Sequence, residues 1–141
     1  MPSYISTADL SKASGLELSQ IEGLITRRVF LVQPTGRGRP RKWTAAELDC
    51  AKTFSALRKR RRLALSIIVP LLVRLRAART ARERRRLLEQ AVLLRIAAYP
   101  HWEIRIEAGP EDAYAIRAGI ERGFVLKRER VADILAEKEA A

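Results

Sequence analysis

The residues best equipped for chemistry in this 141-residue chain are arginines, and they are unevenly spread. Arg37-Gly38-Arg39-Pro40, followed by Arg41 and Lys42, sets two guanidinium groups on either side of a residue with no side chain. A narrow A·T-rich minor groove carries enhanced negative potential and takes up such arginines. Gly38 has nothing to strike the groove walls, and Pro40 holds the backbone extended. A second run, Arg58-Lys59-Arg60-Arg61-Arg62, suits phosphate contact along a polyanion without base preference. A third, Arg84-Arg85-Arg86, is accounted for by an exposed helix face.

Other chemistries have little to work with. Cys50 is the single cysteine and His101 the single histidine, so an internal disulfide and a multi-cysteine metal site are excluded. Cys50, beside Leu48 and Ala51, reads as small core filler, and His101, beside Trp102, as a strand-entry residue. Gly36-x-Gly38 lacks the strand-to-helix setting of a nucleotide fingerprint. No acid–base pair or nucleophile elbow stands out. The expectation is a protein that is not an enzyme and that carries no cofactor and no metal.

Charge says what the arginines are for. The chain carries a net charge of +12, and 48% of it is hydrophobic, enough for a core. Residues 35–86 hold 17 Lys or Arg against Glu47, Asp49 and Glu83, a local net of +14. Residues 1–34 are neutral and residues 87–141 carry −2. One polyanion-facing surface explains such concentration. RNA is disfavoured, because the three Phe, three Tyr and two Trp are scattered and form no stacking set. A membrane partner is disfavoured too, since the most apolar stretch, Leu63 to Val73, is too short to span a bilayer and is flanked by arginines. The start of the chain lacks the basic-then-apolar pattern of a secretory signal, so a cytoplasmic, nucleoid-associated protein is expected.

The elements that must position these groups follow from caps and periodicity. Ser6-Thr7-Ala8-Asp9 opens a short helix with Leu10 and Ala13 inward, and Gly15 ends it. A second helix runs from about Leu18 to Arg28 on Ile21, Leu24 and Ile25. Val29 to Val32 is β-prone and leads into a Gly/Pro-rich basic hairpin that ends at Trp43, a wing. Thr44-Ala45-Ala46-Glu47 caps a third helix ending in Arg58 to Arg62. Ser66 caps a fourth, with Pro70 in its first turn. Thr80-Ala81-Arg82-Glu83 opens a fifth, whose stripe Leu87, Ala91, Leu94 and Ala98 also fits a homodimer seam. Tyr99-Pro100 stops it. Trp102, Ile104 and Ile106 alternate as a strand, Ala113 to Ile116 and Phe124 to Leu126 are two further strand candidates, and residues 128–139 close the chain as a helix.

Residues Ile5 to Leu57 resemble the reading head of the MerR family of winged helix-turn-helix regulators. The likeness rests on helix, Gly15 turn, helix, wing, and Trp43-Thr44-x-x-Glu47-Leu48 opening the next helix, over roughly the first 60 to 75 residues. Arg37-Gly38-Arg39-Pro40 is similar to the core of an AT-hook. The resemblance implies a second helix in the major groove and a wing beside it. The expected fold is mainly α: a winged helix-turn-helix head over residues 1–75, then a helical connector and a small α+β dimerisation or interaction module over 76–141. The expected function is sequence-selective binding of double-stranded DNA as a transcriptional regulator of bacterial or phage type. The alternative is a phage-type DNA-packaging recognition subunit or an excisionase-like architectural factor. The DNA-binding residues are expected to be Ser19, Gln20, Thr26, Arg27 and Arg28, then Arg37, Gly38, Arg39, Pro40, Arg41 and Lys42, and finally Arg58, Lys59, Arg60, Arg61 and Arg62. Glu22 orients Arg27 or reads a cytosine. A homodimer, and a protein partner such as RNA polymerase on the mildly acidic C-terminal module, complete the expectation.

Overall fold

A computed structural model describes residues 4–27, 29, 42–99 and 101–137. Its first element is β1 (Ile5–Ser6), which leads directly into α1 (Thr7–Ser14). Ser6 caps α1 by accepting from the Asp9 N–H at 3.1 Å. Gly15 ends α1 at φ 77°, and its N–H donates to the Ser11 carbonyl at 2.8 Å. A Cβ there would be strained and would meet Lys59 Nζ at 3.1 Å. Three residues later α2 (Leu18–Thr26) begins, with Glu17 and Gln20 capping each other's backbone. β2 (Lys42–Trp43) pairs antiparallel with β1, Ile5 opposite Trp43. α3 (Ala45–Arg61) follows from the Thr44/Glu47 capping box and forms the central helix, packed on α1, α4, α5 and α7.

α4 (Leu65–Ala77) starts from Ala64 rather than Ser66, which puts Pro70 two residues deeper in the helix than expected. Pro70 lacks the N–H that would meet the Ser66 carbonyl, but both residues are exposed, so water can take that carbonyl. α5 (Ala81–Gln90), capped by Thr80, ends much earlier than its stripe suggests. At Ala91 the chain becomes β3 (Ala91–Ile96), the middle strand of a sheet ordered β4-β3-β5. β4 (His101–Ile106) and β5 (Val125–Arg130) flank it, both antiparallel. A central strand covered on both faces is apolar on both sides and so loses its alternation. Ala91 and Leu94, expected on one helical stripe, instead point to opposite faces of β3 and are buried inside their own chain. The homodimer seam built on that stripe is thereby withdrawn.

The Ala113–Ile116 strand is also corrected, because these residues lie within α6 (Pro110–Glu121). Its start carried helix signals: Pro110 at the first position, Glu111 and Asp112 in the first turn, and Asp112 accepting from the Ala108 N–H at 3.0 Å. α6 lies close on β5, since a Cβ at Gly119 would come within 2.9 Å of Val125 Cγ2. β5 extends to Arg130, pairing 128–130 with 94–92, so the closing helix α7 (Val131–Ala136) starts at 131 and not 128.

The architecture is thus mainly α with small antiparallel sheets. One apolar cluster runs from Leu10, Ile21 and Leu24 through Leu57, Leu72 and Leu75 to Leu93, Val131 and Ile134. It crosses the expected boundary at 75/76 without a break. A smaller cluster of Val92, Leu94, Ile116 and Val125 lies between the sheet and α6.

Arginine side chains lock α7 in place. Arg60 donates to the Ile134 and Leu135 carbonyls at 2.6 and 3.2 Å, meeting acceptors that a helix end leaves unsatisfied. Arg61 is gripped by two carboxylates, with Nε on Glu129 Oε1 at 2.8 Å and further bonds to Glu129 and Glu137. Those bonds hold the Arg61 guanidinium charged and place both carboxyls below their usual range. A carboxyl lowered in the folded state stabilises the fold above its unfolded pKa and loses that contribution as pH falls through the folded value. Glu129→Gln should therefore cost about 1–3 kcal/mol near neutrality, in the range for a hydrogen bond to a charged group. Urea titrations of both proteins from pH 7 downward should show the gap closing as the pH falls below the ordinary carboxyl range and through the lowered folded-state value of Glu129. A gap independent of pH would assign the loss to packing instead.

Candidate nucleic-acid interface

The expected reading helix α2 presents Ser19, Glu22, Thr26 and Arg27 to solvent, while Gln20 is half-buried. Several of these already have local partners. Gln20 Oε1 accepts from the Glu17 N–H at 2.9 Å, which uses its carbonyl oxygen as a cap and leaves its amide hydrogens. Thr26 Oγ1 donates to the Glu22 carbonyl at 3.0 Å. Arg27 reaches the Gly23 carbonyl at 3.4 Å, a long bond that ties the guanidinium only loosely.

Arg28, Arg37, Gly38, Arg39, Pro40 and Arg41 lie outside the described residues, as does most of the expected strand and hairpin. Val29 and Lys42 bound that segment. Val29 is buried, its N–H donating to Leu24 at 2.9 Å and its carbonyl accepting from Arg76 of α4 at 2.5 Å. Lys42 is exposed in the pairing with Ser6. Trp43 is fully buried, and its Nε1–H donates to Thr7 Oγ1 at 2.8 Å. Val29 therefore lies beside α4, and Lys42–Trp43 beside β1 and the start of α1.

The Arg58–Arg62 run is divided by its surroundings. Arg58 donates to the Leu63 carbonyl at 2.8 Å and Lys59 to the Gly15 carbonyl at 2.6 Å, although both are exposed. Arg60 and Arg61 are half-buried and bound to α7, β5 and Glu137, as described above. Arg62 alone of the five is exposed with no side-chain hydrogen bond or ion pair among the described residues; its backbone is left-handed at φ 52°. Arg84 is likewise internal, 6% exposed, with Nε on Asp49 Oδ2 at 2.7 Å. An exposed helix face thus accounts for Arg85 and Arg86 but not for Arg84.

Sequence reasoning gave too little weight to Arg74, Arg82, Arg85 and Arg86. All four are exposed, and their side chains form no hydrogen bond or ion pair among the described residues. Arg74 and Arg86 line one shallow cleft of about 380 Å³ between α4 and α5. Arg82, Arg85 and Arg86 recur at helical spacing, with Arg84 turned inward between them. That spacing was the available signal.

Cys50 is buried, and its thiol lies 3.4 Å from the Leu72 carbonyl. Burial first, then the neighbouring Asp49, pushes its pKa up to about 12, so the thiol stays neutral at physiological pH. His101 is exposed, with Nδ1 2.7 Å from the Tyr99 carbonyl. Among the described residues no group of three or more His, Cys, Asp or Glu is placed to hold a metal, and no helix is long and apolar enough to cross a membrane. The site's chemistry is that of guanidinium donors, which suit phosphate oxygens and base edges. No family model, curated protein or solved structure matches this chain.

Proposed function

We propose that this chain binds double-stranded DNA as a sequence-selective regulator, with α2 toward the major groove and the Arg37–Lys42 segment in an A·T-rich minor groove beside it. One observation carries the reading: among the described residues the +14 excess of residues 35–86 is only partly neutralised, Arg61 by Glu129 and Glu137 and Arg84 by Asp49. Of the acids in that stretch, Asp49 is taken by Arg84, Glu47 caps α3, and Glu83 caps the Arg79–Thr80 turn. Arg62, Arg74, Arg82, Arg85 and Arg86 remain in solvent. Residues 87–141, at a net −2, suit a protein partner such as RNA polymerase.

Duplex affinity should fall steeply with salt, log affinity dropping by about 0.9 per log salt for each phosphate neutralised. Replacing Arg37 and Arg39 together by Lys keeps the charge but loses the planar, weakly hydrated guanidinium. In a competition between A·T-rich and G·C-rich flanks around one core, the double variant should lose its flank preference and keep much of its non-specific affinity. Salt-independent binding would end the DNA reading. An unchanged A·T preference would remove the minor-groove role alone.

A further inference from the structure

The two outer strands of the sheet are finished differently. β5 carries Lys127, Arg128 and Arg130, and its pairing with β3 is broken by an irregularity at Arg95/Ile96, features that discourage further strand addition. β4 has an unbroken register with β3, contains no Pro, Gly or Lys, and meets no strand on its other side among the described residues. It is six residues long, with Trp102, Ile104 and Ile106 half-buried on the core face. Glu103 and Arg105 sit on the opposite face, 2.9 Å apart. An edge this long and apolar is a template for another strand.

Backbone phase decides what can add to it. Glu107 N–H donates to the Gln90 carbonyl at 2.7 Å, and the register places Ala91 opposite Ile106. Antiparallel bonding alternates, so residues 101, 103 and 105 bond inward to β3, while Trp102, Ile104 and Ile106 turn N–H and C=O toward the open edge. A second β4 laid antiparallel must pair outward residues with outward residues. Three registers near the strand's middle satisfy this. Centred on Glu103, the pairing sets Glu103 against its own copy and His101 against Arg105. Centred on Arg105, it sets Arg105 against its own copy and Glu103 against Glu107. Centred on Ile104, it sets Glu103 against Arg105 twice, Trp102 against Ile106 twice, and His101 against Glu107. Only the last is free of like-charge pairs.

We infer that this chain forms a two-fold dimer in which β4 pairs antiparallel with β4 of a second copy, centred on Ile104, joining the two sheets into one. The added strand covers the open side of a cleft of about 570 Å³ between α4 and β4, lined by Ile67, Pro70 and Leu71. Nothing in this pairing depends on DNA.

The test is the mass of the full chain without DNA, by sedimentation equilibrium over a micromolar-to-millimolar series. The wild type should be a dimer. Glu103→Arg and Arg105→Glu should each weaken it by about tenfold or more, because symmetry converts two attractive pairs into two repulsive ones. Mixing the two single variants should restore a dimer. The arginine introduced in one chain then faces the glutamate introduced in the other, and the native Arg105 of the first faces the native Glu103 of the second. The double swap within one chain should restore it as well, and this keeps the test decisive should a single variant fold poorly by circular dichroism. A monomeric wild type would overturn the inference, including the case in which β4 serves to capture a strand of some other protein. So would single variants that dimerise as tightly as wild type, or a swap that restores nothing.

Discussion

Cutting the chain after Ala98 should leave a polypeptide with no cooperative thermal transition. The cut removes β4, α6, β5 and α7. Val131 and Ile134 of α7 are fully buried in the same cluster as Leu10, Leu57 and Leu72. Burying two such side chains contributes about 1.5–3 kcal/mol each. Trp102, Ile104 and Ile106, which pack against the cluster from β4, would go as well. Leu93 would lose both neighbouring strands, and Arg60 and Arg61 would lose their acceptors. Together with the backbone groups left unpaired, these losses are comparable with a typical domain stability of about 5–15 kcal/mol. The charge changes sign after Arg86 and the period changes at Trp102, and from sequence these changes read as a head that folds without residues 99–141. Near-ultraviolet circular dichroism and calorimetry of residues 1–98 distinguish the two outcomes. A sharp melting transition in the fragment would show that the head folds alone.

Trp43→Ala should be the most damaging single substitution at the root of the basic segment. Its indole is fully buried beside β1 and the start of α1, and it donates to Thr7. Removing a buried aromatic side chain costs about 3–5 kcal/mol, a large part of the total stability. Trp43→Phe keeps most of the volume and loses the Nε1 donor, so its cost should be nearer 1–2 kcal/mol. Guanidinium chloride midpoints of the three proteins give the ranking. Comparable midpoints for Ala and Phe would mean that the hydrogen bond outweighs the packing. Because Trp43 adjoins Lys42, the Ala variant should also bind DNA more weakly under conditions where it remains folded.

What could be read in advance was local. Ser6 with Asp9, Thr44 with Glu47 and Thr80 with Glu83 cap three helices as their spacing predicts, and Gly15 ends α1 in the left-handed conformation. A cap closes within three or four residues, so the neighbouring sequence decides it. β3 could not be read this way. Leu87, Ala91, Leu94 and Ala98 satisfy a helical period, and only pairing with His101–Ile106 and Val125–Arg130 makes Ala91–Ile96 a strand. The arginines show the same division. As a run, Arg58 to Arg62 and Arg84 to Arg86 give only an excess of charge. Arg84 goes inward because Asp49 waits 35 residues back, and Arg61 is gripped because Glu129 and Glu137 arrive 68 and 76 residues on. A guanidinium leaves water only where carbonyls or carboxylates replace its hydration, and those acceptors come from chain remote in sequence. The number of cations was set by composition; which of them remain in solvent, available to a polyanion, was decided by the tertiary fold.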